Sequence, residues 1–224
     1  MKYIQPDWPA PANVRAYTTL RTGWQGRYSG DNIAAVLNLP EQPVWLKQTH
    51  SDIVLEATSD NIDKIGDASY TSTPNRVCLV LTADCLPVLI TNKEGTTVAA
   101  VHAGWRGLAA GIIEKTIATF EQPANELLVW LGPAISARKF EVGRDVYDVF
   151  TQQHAESAQA FVPHAENKWL GNLYELARIR LRLKNINQIY GGDYCTFIQE
   201  DMFYSFRRDK ENCGRMASVI WIDG

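Results

Sequence analysis

Val88-Leu89-Ile90-Thr91, then Asn92-Lys93-Glu94-Gly95, then Thr96-Thr97-Val98-Ala99-Ala100-Val101-His102, is the stretch that decides the fold. Two apolar, β-branched runs flank a polar turn ending in glycine. That pattern predicts a β-hairpin with Lys93 and Glu94 exposed at its tip. Just upstream, Arg76 to Thr82 is β-branched and apolar and reads as a buried strand. Downstream, Gly104-Trp105-Arg106-Gly107 leads into a helix expected from Leu108 to Phe120, with Ile112, Ile113, Thr116, Ile117 and Phe120 at helical spacing.

Further out, Leu127 to Leu131 reads as a strand ended by Gly132-Pro133. Asp145 to Gln153 and Leu173 to Leu183 read as helices, the second with Leu173, Leu176, Ile179, Arg180 and Leu183 at three- and four-residue steps. Asn187 to Tyr190 and Ala217 to Ile222 are expected strands, as are Val14 to Leu20, the start at Val44-Trp45-Leu46, and Asp52 to Glu56. Residues 1 to 43, rich in Pro, Gly, Trp and Asn, are otherwise expected to be irregular. Helices and strands alternate unevenly and hairpins are mixed in. This pattern predicts a layered α/β or α+β domain rather than a doubly wound sheet.

The chain has 224 residues, 46% of them apolar, and a net charge of −3. These values argue against disorder and against a general attraction to nucleic acid or anionic membrane. The longest apolar runs are too short to span a bilayer. Met1-Lys2-Tyr3-Ile4-Gln5-Pro6-Asp7 lacks the basic-then-apolar pattern of a secretory signal, so cytoplasm is the expected compartment. Cys78, Cys85, Cys195 and Cys213 form no CxxC pair and are read as thiols.

Four histidines are present. His50 follows a strand in Gln48-Thr49-His50-Ser51-Asp52. His102 ends the hairpin's second strand. Cys85 lies in the turn Thr82-Ala83-Asp84-Cys85-Leu86-Pro87. Two imidazoles and a thiolate suit zinc, and also copper, and three protein ligands leave one tetrahedral position open. A metal there can lower the pKa of a water and polarise a substrate. Asp84 and Asp52 are candidates for orienting a ligand imidazole or moving a proton. Alternatively, Cys85 and His102 could form a thiolate–imidazole dyad without metal. Cys78, set in Val77-Cys78-Leu79-Val80, reads as a core residue, and Cys195 and Cys213 could be the same. His154 and His164 read as surface residues.

Arg21, Arg106, Arg138, Arg207, Arg208 and Arg215 fall in expected loops and could hold phosphate or carboxylate. Arg106 stands out because three residues separate it from His102 and because Gly104 and Gly107 allow close backbone approach by a ligand. Trp105 or Tyr28 could stack on a flat base.

At these motifs the chain resembles the YfiH/YlmD family, also called laccase-domain proteins or multicopper polyphenol oxidoreductases. The match runs through Val44-Trp45-Leu46-Lys47-Gln48-Thr49-His50, Asp67-Ala68-Ser69-Tyr70 and Thr82-Ala83-Asp84-Cys85-Leu86-Pro87. It continues in Ala100-Val101-His102-Ala103-Gly104-Trp105-Arg106-Gly107, Phe140-Glu141-Val142-Gly143 and Phe203-Tyr204-Ser205-Phe206-Arg207-Arg208-Asp209. The resemblance implies a single-domain layered α/β sandwich over residues 1–224 with mixed sheets, similar in outline to the catalytic domain of cytotoxic necrotizing factor. It implies His50, Cys85 and His102 as zinc ligands; from the residues themselves, Cys85, His102 and Asp84 are the catalytic candidates and Arg21 and Arg106 the candidate substrate contacts. Members are described as phosphorolysing adenosine, inosine, guanosine or methylthioadenosine and deaminating adenosine. Bacterial relatives are also described as editing a cell-wall precursor by removing serine from UDP-MurNAc. The polyphenol label implies copper, which fits worse, since several coppers need many histidines. The expected partners are small molecules, with no nucleic acid and no membrane, and a monomer is expected. Two departures stand out. The loop after Arg21 is much shorter than in the family, and Asn172 stands where aspartate is common.

Overall fold

The computed structural model describes residues 1–24, 26 and 32–224; Tyr28 lies outside them. In chain order the strands are β1 (Tyr3–Ile4), β2 (Val14–Thr19), β3 (Val54–Glu56), β4 (Ala68–Thr71), β5 (Cys78–Thr82), β6 (Leu86–Asn92) and β7 (Val98–Ala103). There follow β8 (Leu127–Leu131), β9 (Glu141–Gly143), β10 (Phe161–Ala165), β11 (Lys168–Gly171), β12 (Gln188–Gly191) and β13 (Met216–Ile222). The helices are α1 (Ile33–Leu37), α2 (Trp105–Ala110), α3 (Ile112–Ile117), α4 (Arg144–Gln153), α5 (Leu173–Leu183) and α6 (Phe206–Asp209).

The expected hairpin is the centre of a six-stranded sheet ordered β12-β8-β6-β7-β4-β3. β6 and β7 are buried along their whole length because both faces of the sheet are covered. Leu86, Val88, Ile90, Val101 and Val129 point to one face, under helices α2 to α5. Leu89, Val98, Ala100 and Trp130 point to the other, where they meet Val14, Cys78, Val80 and Ile220 of a four-stranded sheet ordered β1-β2-β13-β5. The outer face of that sheet packs Leu79, Val219 and Trp221 on Trp24, Ile33 and Leu37. The result is a layered α/β sandwich. The large sheet is mixed: β12–β8 and β3–β4 are parallel and its other ladders antiparallel, whereas the two smaller sheets are wholly antiparallel.

Three expectations are corrected. The helix from Leu108 to Phe120 is two helices, α2 and α3, because Gly111 adopts a left-handed φ of 91° and ends α2 by bonding the carbonyls of Gly107 and Leu108. Ile112, Ile113 and Thr116 stay buried across the break, so the apolar periodicity is real although the helix is not continuous. Val44 to Leu46 forms no ladder, only isolated bridges at Val44–Cys78 and Lys47–Ile65. A third sheet, β10-β11-β9, was not expected. Its β10 is exposed from Val162 to Ala165 and contains Pro163, so it lacks the alternation by which strands are read. No helix among the described residues is long and apolar enough to cross a membrane.

Candidate metal centre

Sheet register brings the three candidate ligands to one edge. In the β6–β7 ladder Leu86 pairs with Ala103 and Pro87 with His102. Continuing that register sets Cys85 opposite Gly104. The turn that carries Cys85 crosses from β5 in one sheet to β6 in the other, with Asp84 in a left-handed conformation at φ 82°. His50 arrives from the loop before β3. The donor atoms of His50, Cys85 and His102 all lie within 4.8 Å of one another, and this is the one such group of three among the described residues. Cys85 Sγ is 3.7 Å from His50 Nε2. A tetrahedral zinc with ordinary Zn–S and Zn–N bonds sets such a sulfur–nitrogen edge at roughly 3.5 Å. The residues present therefore fit a single metal ion.

Gly104 makes this closure possible. A Cβ there would stand 2.8 Å from His50 Cδ2 and 3.0 Å from Cys85 Sγ. At Gly107 a Cβ would meet the Ser51 carbonyl at 2.8 Å. The two glycines thus admit the ligand loops themselves, rather than a substrate.

Asp67, fully buried at the start of β4, organises two of the ligands. Its carboxylate accepts the backbone N–H groups of three consecutive residues, Thr49 (3.1 Å), His50 (3.0 Å) and Ser51 (2.7 Å), and the Ser51 hydroxyl (2.6 Å). This holds His50 in the left-handed region at φ 62°. The same carboxylate lies 2.7 Å from His102 Nδ1. With Nδ1 as the donor to Asp67, His102 Nε2 keeps its lone pair free for a metal. Asp52, the sequence candidate for this task, instead pairs with Lys115. Sequence alone assigns Asp67 no role. A lone aspartate between Gly66 and Ala68 at the head of a buried strand was the available signal.

Asp84 does the same work for Cys85. Its side chain accepts from Thr196 Oγ1 (2.6 Å), Ser205 Oγ (3.0 Å) and the Arg207 backbone N–H (2.6 Å). Gln48 adds a third tie, donating to the Leu81 carbonyl and accepting from its N–H, as a strand neighbour would.

Burial opposes charge on each of these groups, and their mutual contacts overcome it. Burial raises the Cys85 thiol, but the charge of His102 and hydrogen bonds from His102 and His50 outweigh this and bring it from 9.0 to about 6. Burial lowers His102, yet Cys85 and Asp67 lift it from 6.5 to about 9. Burial raises Asp67, and its bonds from His102, Ser51 and Thr49 hold it at about 2. Without metal the site is therefore a thiolate–imidazolium–carboxylate array. Cys78 contrasts with it. Buried in the core, its thiol is pushed up to about 12.

The centre opens onto a cleft of about 1310 Å³ whose walls include Trp105, Arg106, Phe206, Arg207 and Arg215. The Arg106 guanidinium lies 4.4 Å over the Trp105 ring and donates to no described residue. Arg21 is not in the lining; it donates to the Glu200 carbonyl and lies over Tyr204. Arg208 is spent on Asp209 and on the carbonyls of Thr196, Phe197 and Phe203. Cys195 is buried as expected, whereas Cys213 is half-buried and lines the cleft. His164 is exposed beside Glu141, and His154 is half-buried. Asn172 caps α5 by accepting from the Glu175 N–H, a bond its carbonyl oxygen makes as a carboxylate would.

A layered α/β sandwich whose described residues bring one His–Cys–His cluster into the lining of an arginine-bearing cleft defines a metal-competent enzyme scaffold. The chain belongs to the multi-copper polyphenol oxidoreductase laccase family, whose model matches residues 28–223. It is 46% identical over 242 residues to "Purine nucleoside phosphorylase YfiH" of Shigella flexneri, covering 99% of each chain. That alignment is longer than this chain, so the relative carries residues this chain lacks. Among solved structures, a Neisseria meningitidis protein aligns with TM-score 0.92 and 42% identity over 100% of both chains. YlmD from Geobacillus stearothermophilus aligns with TM-score 0.91 and 23% identity, over 100% of this chain and 97% of its own, a likeness of fold.

Proposed function

We propose that this chain is a zinc-dependent purine nucleoside phosphorylase that acts on adenosine, inosine, guanosine or methylthioadenosine. The observation that carries the reading is the presence in one cleft of the His50–Cys85–His102 set and of Arg106, a guanidinium with no acceptor among the described residues. The name of the Shigella flexneri relative supports the same substrate class. In phosphorolysis a phosphate oxygen bonds to ribose C1′ while the glycosidic bond breaks, and its electron pair leaves with the purine, which takes up a proton. Arg106 holds the phosphate bidentately; Arg207 also lines the cleft, with its guanidinium on the Lys139 and Glu141 carbonyls. His50, Cys85 and His102 would hold zinc, which would supply a Lewis acid. Asp84, its carboxylate already accepting three bonds, positions Cys85 rather than moving a proton. The reading takes the chain as a cytoplasmic monomer. Adenosine deamination, in which water adds at C6 and ammonia leaves, is a second reaction of the same site.

A second reading is an amidase that releases serine from UDP-MurNAc-L-Ser. The cleft volume favours it, exceeding the several hundred Å³ that an ordinary small-molecule pocket offers. Copper-based polyphenol oxidation is less favoured, because the described residues form one ligand group, enough for one ion.

The test is adenosine incubated with and without phosphate, following adenine, inosine and ribose 1-phosphate, beside UDP-MurNAc-L-Ser assayed for free serine. Phosphate-dependent adenine release supports the first reading. No nucleoside product above a Cys85→Ala control contradicts it, and serine release alone would establish the second.

A further inference from the structure

We propose that Phe206 is the surface on which the purine ring stacks; this rests on the nucleoside reading above. Among the large apolar side chains that are exposed in the described residues, Phe206 is the one that lines the cleft, and it is 48% exposed. It packs into none of the three hydrophobic cores. The other Trp, Tyr and Phe rings that line the cleft among the described residues are already engaged. Trp105 packs against the main core and carries Arg106 over its ring. Tyr204 donates its hydroxyl to the Arg21 carbonyl and has the Arg21 guanidinium over its ring. Phe140 is buried.

Phe206 is exposed but held in place. Ser205 Oγ and the Arg207 N–H, on either side of it, both bond the Asp84 carboxylate, and Asp84 precedes the ligand Cys85. Ser205 also caps α6 by accepting from the Arg208 N–H. The backbone that carries the ring is thereby tied to the turn that carries Cys85. Arg215 lies over the ring too, but at 5.9 Å from the centroid, farther than Arg106 over Trp105 at 4.4 Å or Arg21 over Tyr204 at 5.2 Å. A half-exposed apolar ring in the cleft wall, with a cation loosely over one face, offers a flat heteroaromatic base a stacking partner.

The test uses the full chain loaded with zinc, and compares wild type with Phe206→Ala, Phe206→Leu and Phe206→Tyr. Zinc content and thermal midpoint are checked for each. Phosphorolysis is measured against adenosine and against phosphate, and adenosine binding by calorimetry without phosphate. The expected result is a KM and Kd for adenosine raised about tenfold by Ala and nearly as much by Leu, restored by Tyr, with KM for phosphate within twofold of wild type. Leu keeps the apolar bulk without the ring, so the Leu–Tyr comparison carries the test if the Ala variant is unstable. Adenosine KM and Kd within twofold of wild type in Ala or Leu would overturn the proposal. If wild type binds adenosine but does not phosphorolyse it, the nucleoside phosphorylase reading falls while the Kd series still decides the stacking role. Absence of adenosine binding by wild type overturns both.

Discussion

Asp67 grips His102 twice: its backbone carbonyl accepts the His102 N–H at 2.7 Å, and its carboxylate lies 2.7 Å from His102 Nδ1. Because that carboxylate also gathers the N–H groups of Thr49, His50 and Ser51, one buried anion sets two of the three ligands. Asp67→Asn is expected to weaken zinc binding about 10- to 100-fold with the fold retained. Asp67→Ala, which strands the three N–H groups, is expected to cost about 3–5 kcal/mol of stability as well. Competition with a chromogenic chelator and urea unfolding measure the two effects. Wild-type zinc affinity in Asp67→Asn would show that the carboxylate does not orient the ligands.

Gly104→Ala probes the close approach beneath the cluster. Gly104 has φ −61°, which alanine tolerates, so the backbone should accept the change. The new methyl group has no room between His50 and Cys85. We expect zinc affinity to fall at least about tenfold while the metal-free protein melts within a few degrees of wild type. A chelator titration that superimposes on wild type would contradict the geometry.

Cys85 should be the reactive thiol of the metal-free protein. Its pKa is lowered from 9.0 to about 6, so the thiolate is populated above about pH 6 and lost below it. Alkylation by iodoacetamide should therefore rise with a midpoint near pH 6 at Cys85, leave the buried Cys78 untouched at neutral pH, and be suppressed by added zinc. Mass spectrometry of the labelled peptides reads all three. A Cys85 midpoint near that of a free thiol would remove the thiolate–imidazolium pair.

Asp84→Ala should loosen the turn that carries Cys85. It removes acceptors from Thr196, Ser205 and Arg207 and places alanine at a φ of 82°. A loss of about 2–4 kcal/mol is expected, and less from Asp84→Asn, since asparagine tolerates the left-handed conformation. Equilibrium unfolding in urea checks this. Equal stability of both variants with wild type would mean that the carboxylate network contributes little.

The ease with which each part could be read from sequence follows its physics. β8 and α5 are legible to their ends, because a wholly apolar run and a helical stripe both reflect burial, although Leu183 at the end of the stripe is exposed. The candidate ligands His50, Cys85 and His102, which the fold brings together, are legible through residue type, and more so through the surrounding motifs. The break at Gly111 was hidden because the apolar positions keep helical phase across it. β9 to β11 are hidden because β10 is exposed from Val162 to Ala165, with only Phe161 buried. Asp67 and Phe206 were hidden for a common reason. Their roles depend on who approaches them from far along the chain, Thr49 to Ser51 for one and Asp84 for the other, and spacing alone carries no record of that.

The central claim is that His50, Cys85 and His102 hold one metal ion. X-ray absorption on zinc-reconstituted protein, with elemental analysis of the same sample, tests it most directly. The account predicts one zinc per chain, with one sulfur at about 2.3 Å and nitrogen ligands at about 2.0–2.1 Å, and loss of the sulfur shell in Cys85→Ala. No bound zinc, or a first shell without sulfur in the wild-type chain, would contradict it.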